Sequence, residues 1–311
     1  MTNQPVCCVC GTPLTPPIST IHGRAYCAHH FALVNRPSPS FWRAGLVEIL
    51  GIVALCALIA LVANFLPPLN GTPLIIAGLV IALLPTILWL VFFYQQDRLE
   101  PEPKTSVLLV FLLALLLADV LGVRLVRDWL RVADWGTQDT FTSLLASTLV
   151  LGFTYQIIAF LAVRLTVYTT PEFDERMDGI VYGTVAGLGV ATLLNLRYII
   201  DNGGVALGPG VVRVATTTLA MASFSGLMGY FMAEAKFDTK PVWWVPAGVA
   251  LAATLNGLFS WLIVEVSSTG LTVDPWRSLL LGLVVALAVF AVLVVLMRRV
   301  TTVTLARKEQ V

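Results

Sequence analysis

The chain has 311 residues, 58% of them apolar and only 12% charged, with a mean hydropathy of +0.87 and a formal net charge of +1. Those values exclude an ordinary soluble domain and point to an integral membrane protein. The charges lie in short segments and at the chain ends rather than on one face, so no nucleic-acid partner is expected from charge.

The first element in chain order is polar. The stretch "CCVCGTPLTPPISTIHGRAYCAHHF" holds four of the five cysteines and all three histidines. Cys7-x2-Cys10, then sixteen residues, then Cys27-x2-His30 makes two chelating knuckles of the kind that close a tetrahedral zinc site. Cys8 and His29 are spares able to displace a neighbour from that set. A piece of about thirty residues buries too little core to fold unaided, so metal ligation would supply the missing stability. Four protein ligands leave no open position for water, which favours structural over catalytic zinc. Idle reduced thiols and a disulfide pair are the alternatives, the disulfide disfavoured in a cytoplasmic tail. The half "HGRAYCAHHF" resembles one zinc-binding half of LIM-like or zinc-ribbon modules, and docking a cytoplasmic protein is the role this implies. Residues 1–35 are therefore read as a zinc-binding module, and 36–43 as a Pro/Ser linker ending in Trp42 and Arg43 at the membrane surface.

Apolar runs of about twenty residues, long enough to cross ~30 Å of hydrocarbon, follow. Eight are expected, near 44–66, 73–94, 106–123, 143–168, 179–197, 211–235, 242–265 and 276–298. The fold class is an all-α polytopic helix bundle over 44–299, with a cytoplasmic tail over 300–311. The linkers "PPLNGT" and "QQDRLEPEPK" carry the prolines that forbid helix continuation. The first forty residues have no apolar core of signal-peptide length, so the first span is expected to act as the anchor. Cys56, alone in that span, reads as packing.

Counting Lys and Arg on alternate sides gives about thirteen on the side of both termini and about six on the other, so both ends are expected in the cytoplasm of a multi-pass cell-membrane protein. The loop "RLVRDWLRVADWGTQD" dissents. Its Arg124, Arg127 and Arg131, with Trp129 and Trp135, read as an amphipathic helix lying in the interface.

From about Phe92 to Phe259 the chain resembles the PrsW family of intramembrane proteases. The likeness rests on "EFDERMDGIVYGTVAGLGVATLLNLRY", on "GLMGYFMAEAKF" and, more weakly, on "DRLEPEPK". The resemblance implies a hydrophobic bundle whose buried polar site cuts membrane-embedded or membrane-proximal substrates such as anti-sigma factors. Family members carry a paired Glu-Glu with a Lys three residues on, a Glu-Asn pair, and one His in each of two later helices. Laid on that pattern, the glutamates fall on Tyr155 and Gln156, the lysine on Ala159, and the acid of Glu-Asn on Leu194. The histidines fall on Met221 and Asn256, and an Asp that often follows falls on Ser260. None of these replacements takes a proton or binds a metal well near neutral pH. Asp178, Gly179, Gly183, Gly187, Gly189, Asn195, Tyr198, Arg213, Gly229 and Gly257 are retained, and read as capping, close helix packing and interhelical hydrogen bonding.

No other intramembrane chemistry stands out. Glu48, Asp119, Glu234 and Glu265 lie toward span ends, and Asp119, the deepest, reads as a partner for Arg124 or a helical hydrogen bond. Asp178 reads as the N-cap of its helix, with Glu172, Asp174 and Glu175 as solvated loop acids near a helix N-terminus. The expected function is a non-catalytic protease homologue that binds single-span membrane clients in the bilayer, or a cytoplasmic partner through its zinc module. An active endopeptidase with a shifted site is the alternative. A small-solute transporter comes third, since no internal repeat or set of central charges supports it.

Overall fold

The computed structural model describes residues 5–21, 24–34, 71–96, 102–201, 207–268 and 275–308. The expected linker and first span, with Glu48 and Cys56, lie outside the described residues.

The N-terminal module pairs two three-residue strands antiparallel, β1 (Ser19–Ile21) with β2 (Arg24–Tyr26), followed by a short helix α1 (Ala28–Val34). Among the described residues Cys7, Leu14 and Tyr26 are buried, a small core of the size a metal-stabilised module has. In the first knuckle Gly11 N–H donates to the Cys7 carbonyl, and Gly11 adopts φ +70°, the left-handed conformation that glycine enters without a Cβ penalty.

The membrane part is a bundle of long helices. They are α2 (Thr72–Gln96), α3 (Lys104–Leu117), the short α4 (Val132–Trp135), α5 (Thr140–Leu145), α6 (Phe153–Thr166), α7 (Arg176–Asp201), α8 (Leu207–Phe237), α9 (Trp244–Ser268) and α10 (Pro275–Lys308). Wider π-helical turns extend α3 through Ala118–Val123 and Leu125–Trp129, and join α5 to α6 through Ala146–Gly152. Six helices among the described residues are long and apolar enough to cross a membrane, the fold class expected from the hydropathy. The seventh long helix, α8, carries Thr216, Thr217, Thr218, Ser223 and Ser225 in its middle, which lowers its hydropathy, yet almost all of that stretch is buried. Helix α10 runs on to Lys308, through the residues assigned to a tail.

Helix α7 is the centre. Its apolar window is 89% buried, against 28–44% for the other five spans. It packs most extensively on α8, and glycine makes this possible. A Cβ on Gly179 would stand 2.4 Å from the Gly229 carbonyl oxygen, on Gly183 2.5 Å from that of Ser225, and on Gly187 2.4 Å from that of Met221. Three glycines at i, i+4 and i+8 thus bring two backbones into contact, as small residues do between membrane helices. Gly189 meets the Phe111 carbonyl of α3 on the opposite face. In α2, Pro85 leaves a gap in the helical hydrogen bonding, and the neighbouring Thr86 hydroxyl bonds Thr192 of α7 at 3.0 Å.

The expected interfacial helix over 124–135 is not what forms. Arg124 and Arg127 lie on the π-helical extension of α3, and Arg131, at φ 45°, breaks the chain before the one-turn α4. An apolar run followed by arginines at helical spacing looks the same in sequence whether the span continues or a new helix starts; the left-handed residue that separates the two has no sequence mark.

Candidate functional site

Four groups of polar side chains are candidates, beginning where the family pattern would place chemistry. Helices α6, α7 and α8 meet at Gln156, Gly187, Met221 and Ser225. Gln156 is fully buried, and its Oε1 accepts a hydrogen bond from the Ser225 hydroxyl at 3.1 Å. Met221 is buried, its carbonyl against Gly187. Two turns along α7, Asn195 Nδ2 donates to Thr218 Oγ1 at 3.1 Å and to the Val214 carbonyl at 3.4 Å, binding α7 to α8 as an interhelical polar contact does. Tyr155 is buried with its ring against Gly122 of the α3 extension, Leu194 is half-buried, and Asn256 is buried on α9, where Gly257 packs on the backbone of Ser147 and Thr148. Retained Arg213 stacks over the Tyr198 ring at 3.9 Å.

This donor set does not fit a catalytic zinc. It offers amides, a thioether and a phenol, and every histidine of the chain lies at or before residue 30. Its one orphaned polar atom on these positions, Gln156 Nε2, is an N–H donor, which faces a cation with the wrong sign.

The second group corrects the reading of "EFDERMDG". Glu172 and Asp174 are exposed as expected, but Glu175 and Asp178 are buried. Asp178 is not the N-cap. The helix begins at Arg176, and from its first turn Asp178 reaches back so that its Oδ2 accepts the Glu175 N–H at 2.6 Å, the reciprocal half of a capping box. One turn along α7 from Asp178, the Tyr182 hydroxyl donates to Glu102 Oε2 at 2.5 Å, and Glu102, Asp178 and Tyr182 are all buried. Phe173 closes the cluster, stacked on Tyr182 and Phe237. Lys236 Nζ fixes the loop by donating to the carbonyls of Tyr168 at 2.7 Å and Phe173 at 2.6 Å. Outside it, Arg176 pairs with Glu234 at 3.3 Å and Lys240 with Glu234 at 3.4 Å. Sequence reasoning missed Glu102. Its signal was the acid between prolines in "PEPK", directly before a helix start.

Third, Asp119 pairs with Arg197 of α7 rather than Arg124, accepting from Arg197 Nε at 3.1 Å and from a terminal guanidinium nitrogen. A nearby arginine in sequence suggested itself; the true partner comes from the central helix.

The fourth group is in the N-terminal module. Donor atoms of Cys7, Cys10, Cys27 and His30 all lie within 4.8 Å of one another, and could hold a metal ion. The separations are 3.9 Å for Cys10–Cys27, 3.7 Å for Cys7–His30 Nδ1 and 3.1 Å for Cys27–His30 Nδ1. Tetrahedral ligation with Zn–S bonds of ~2.3 Å requires sulfurs about 3.8 Å apart, so the donor set fits. Cys8 and His29 are exposed and outside the group. Burial by itself would raise the Cys7 thiol, but backbone N–H groups of Cys27, Cys10 and Val9 outweigh it and bring it down to about 6, which favours the ligating thiolate.

Comparison with known proteins places this architecture. Residues 102–298 match the profile of the PrsW family of intramembrane metalloproteases, starting at Glu102. The curated Protease PrsW of Bacillus subtilis is 30% identical over 186 residues, covering 59% of this chain and 81% of that protein. That of Geobacillus kaustophilus is 31% identical over 181 residues (58% and 76%), and that of Oceanobacillus iheyensis 26% over 200 residues (63% and 87%). No solved structure matches the chain. The profile covers well over half of the chain, and the chain belongs to the PrsW family.

Proposed function

We propose that this chain is a PrsW-family scaffold without peptidase chemistry, which binds membrane-protein clients through its helix bundle and a cytoplasmic partner through an N-terminal zinc module. The observation that carries the reading is the buried Gln156 amide, hydrogen-bonded to Ser225, where the family pattern calls for a carboxylate. A hydrolase needs a base or a metal to activate water. The positions laid on the pattern supply a phenol, an amide, two apolar side chains and a second amide. Zinc is the metal that three thiolates and one imidazole suit, in a structural role. The bundle is oriented with both termini in the cytoplasm, following the excess of Lys and Arg on that side.

One observation favours a catalytic second reading. Glu102 and Asp178 are two buried acids in one cluster with Tyr182, the kind of side chain that serves as an acid or a base. They lie at the end of the bundle, beside the first turns of α3 and α7 and beneath Phe173.

The test is reconstitution of the purified chain in liposomes with a single-span substrate. The expected result is binding without cleavage. Cleavage abolished by Glu102→Gln moves the function to the carboxyl pair, and cleavage abolished by altering Tyr155, Gln156 or Asn256 defeats the proposal.

A further inference from the structure

A cleft opens at the far end of α3, beside the Asp119–Arg197 pair. It encloses about 290 Å³ and is lined by Asp119, Val123, Arg124, Arg127, Asp128 and Arg197, together with Val120. Three arginines against two aspartates leave one net positive charge in the cleft. Asp119 is engaged by Arg197. Arg124 and Arg127 are exposed, and no acid lies within ion-pair distance of either among the described residues.

The position of the cleft says what reaches it. Leu108, Leu109, Leu112, Leu116, Val120 and Leu121 form an exposed apolar face along α3, which in a membrane protein is covered by acyl chains. That face ends at Arg124 and Arg127, and just beyond stands Trp129, 80% exposed, an amphipathic ring of the kind enriched at headgroup level. Arg131 then turns the chain, and the Trp135 indole N–H holds the turn by donating to the Leu130 carbonyl at 2.8 Å. The arginines thus stand where a lipid has its phosphate. The helix here is π-helical over two successive turns, a form that occurs frequently at functional sites.

We propose that Arg124, Arg127 and Arg197 form a phosphate-binding site for an anionic membrane phospholipid whose tails lie on the exposed face of α3. A phosphodiester monoanion matches the single net charge of the cleft, and guanidinium groups are suited to phosphate oxygens. A zwitterionic lipid brings the same phosphate with a cation attached, which the arginines repel. Asp119 acts as a positioning residue, holding Arg197 in the cleft wall. The site rests on the cleft and the face of α3, so it stands or falls independently of whether the bundle cleaves peptides.

The experiment places the full chain in vesicles of phosphatidylcholine and of phosphatidylcholine mixed with phosphatidylglycerol, extracts it, and counts retained lipid by native mass spectrometry. Phosphatidylglycerol is expected to be retained preferentially, and Arg124→Gln and Arg127→Gln are each expected to reduce that preference roughly fivefold, the effect of one basic side chain at an anionic surface. Equal retention of the two lipids, or an unchanged preference in the double variant, overturns the proposal. A third arm adds inorganic phosphate. If it abolishes the preference for phosphatidylglycerol, the occupant is a soluble oxyanion and the lipid assignment falls. Should the double variant fail to fold, the wild type decides. Brominated phosphatidylglycerol must quench the fluorescence lost on Trp129→Phe more strongly than brominated phosphatidylcholine does, and equal quenching overturns the site.

Discussion

The N-terminal module and the α7–α8 seam are held together by opposite means. Among its described residues the module has three buried side chains, Cys7, Leu14 and Tyr26, around a cluster of four donor atoms, whereas the seam is chiefly a backbone-to-backbone contact built on glycine, bridged by the Asn195 amide. A small piece of chain without a core needs a bond to replace it. Two helices that already share the bilayer need shape alone. The Cys/His cluster and the large core thus lie in different parts of the chain.

The largest effect that would break this contrast is metal removal. Structural zinc contributes on the order of 10–16 kcal/mol in small modules, so a chelator or Cys27→Ser should unfold residues 5–34 outright while leaving the bundle intact. Limited proteolysis with metal analysis checks both halves, and a bundle that loosens with the module would show that the two are one cooperative unit. Next is Gly229→Ala. The added Cβ would stand 1.8 Å from the Gly179 carbonyl oxygen, a backbone atom that cannot move aside, and a loss of about 3 kcal/mol or more is expected in detergent unfolding. A loss under ~1 kcal/mol would mean the seam is looser than glycine contact implies.

Smaller effects sharpen the contrast between polar groups that bind and those that merely remain. Tyr182→Phe leaves a buried Glu102 oxygen without its donor and should cost ~1–3 kcal/mol. Gln156→Met removes the orphaned Nε2 along with the bond to Ser225, two terms of opposite sign, so a net change within ~1 kcal/mol is expected. A large loss there would mark Gln156 as more than a remnant. Least of all, Lys240→Gln should let the exposed Asp238 carboxyl titrate closer to its ordinary range, since the hydrogen bond from Lys240 is what chiefly holds it low. A depressed carboxyl contributes stability above its unfolded pKa that is lost as pH falls through the folded one, so the variant should blunt acid sensitivity in that loop, read by NMR.

The spans were legible because hydrophobic length is a local property. Expected runs at 73–94, 211–235 and 276–298 sit inside α2, α8 and α10. The metal cluster was legible for the same reason, its two knuckles being written at two-residue spacing. What stayed hidden was long-range. Glu102 lies far along the chain from Asp178 and Tyr182, and nothing in "PEPK" announces a buried carboxyl. Likewise Asp119 found Arg197 through the packing of α3 on α7, a long-range contact at which Gly189 meets the Phe111 carbonyl. The π-helical turns that carry Arg124 and Arg127 have no residue pattern of their own.

The glycine seam also limits how a client can enter. With the Gly229 Cα edge on the Gly179 carbonyl, no gap wide enough for a side chain, let alone a helix, exists between α7 and α8. If the bundle binds a transmembrane client as proposed, that segment has to dock on the outer helices, whose lipid-facing residues it can replace without prising backbones apart. Recognition under that proposal is a matter of the rim.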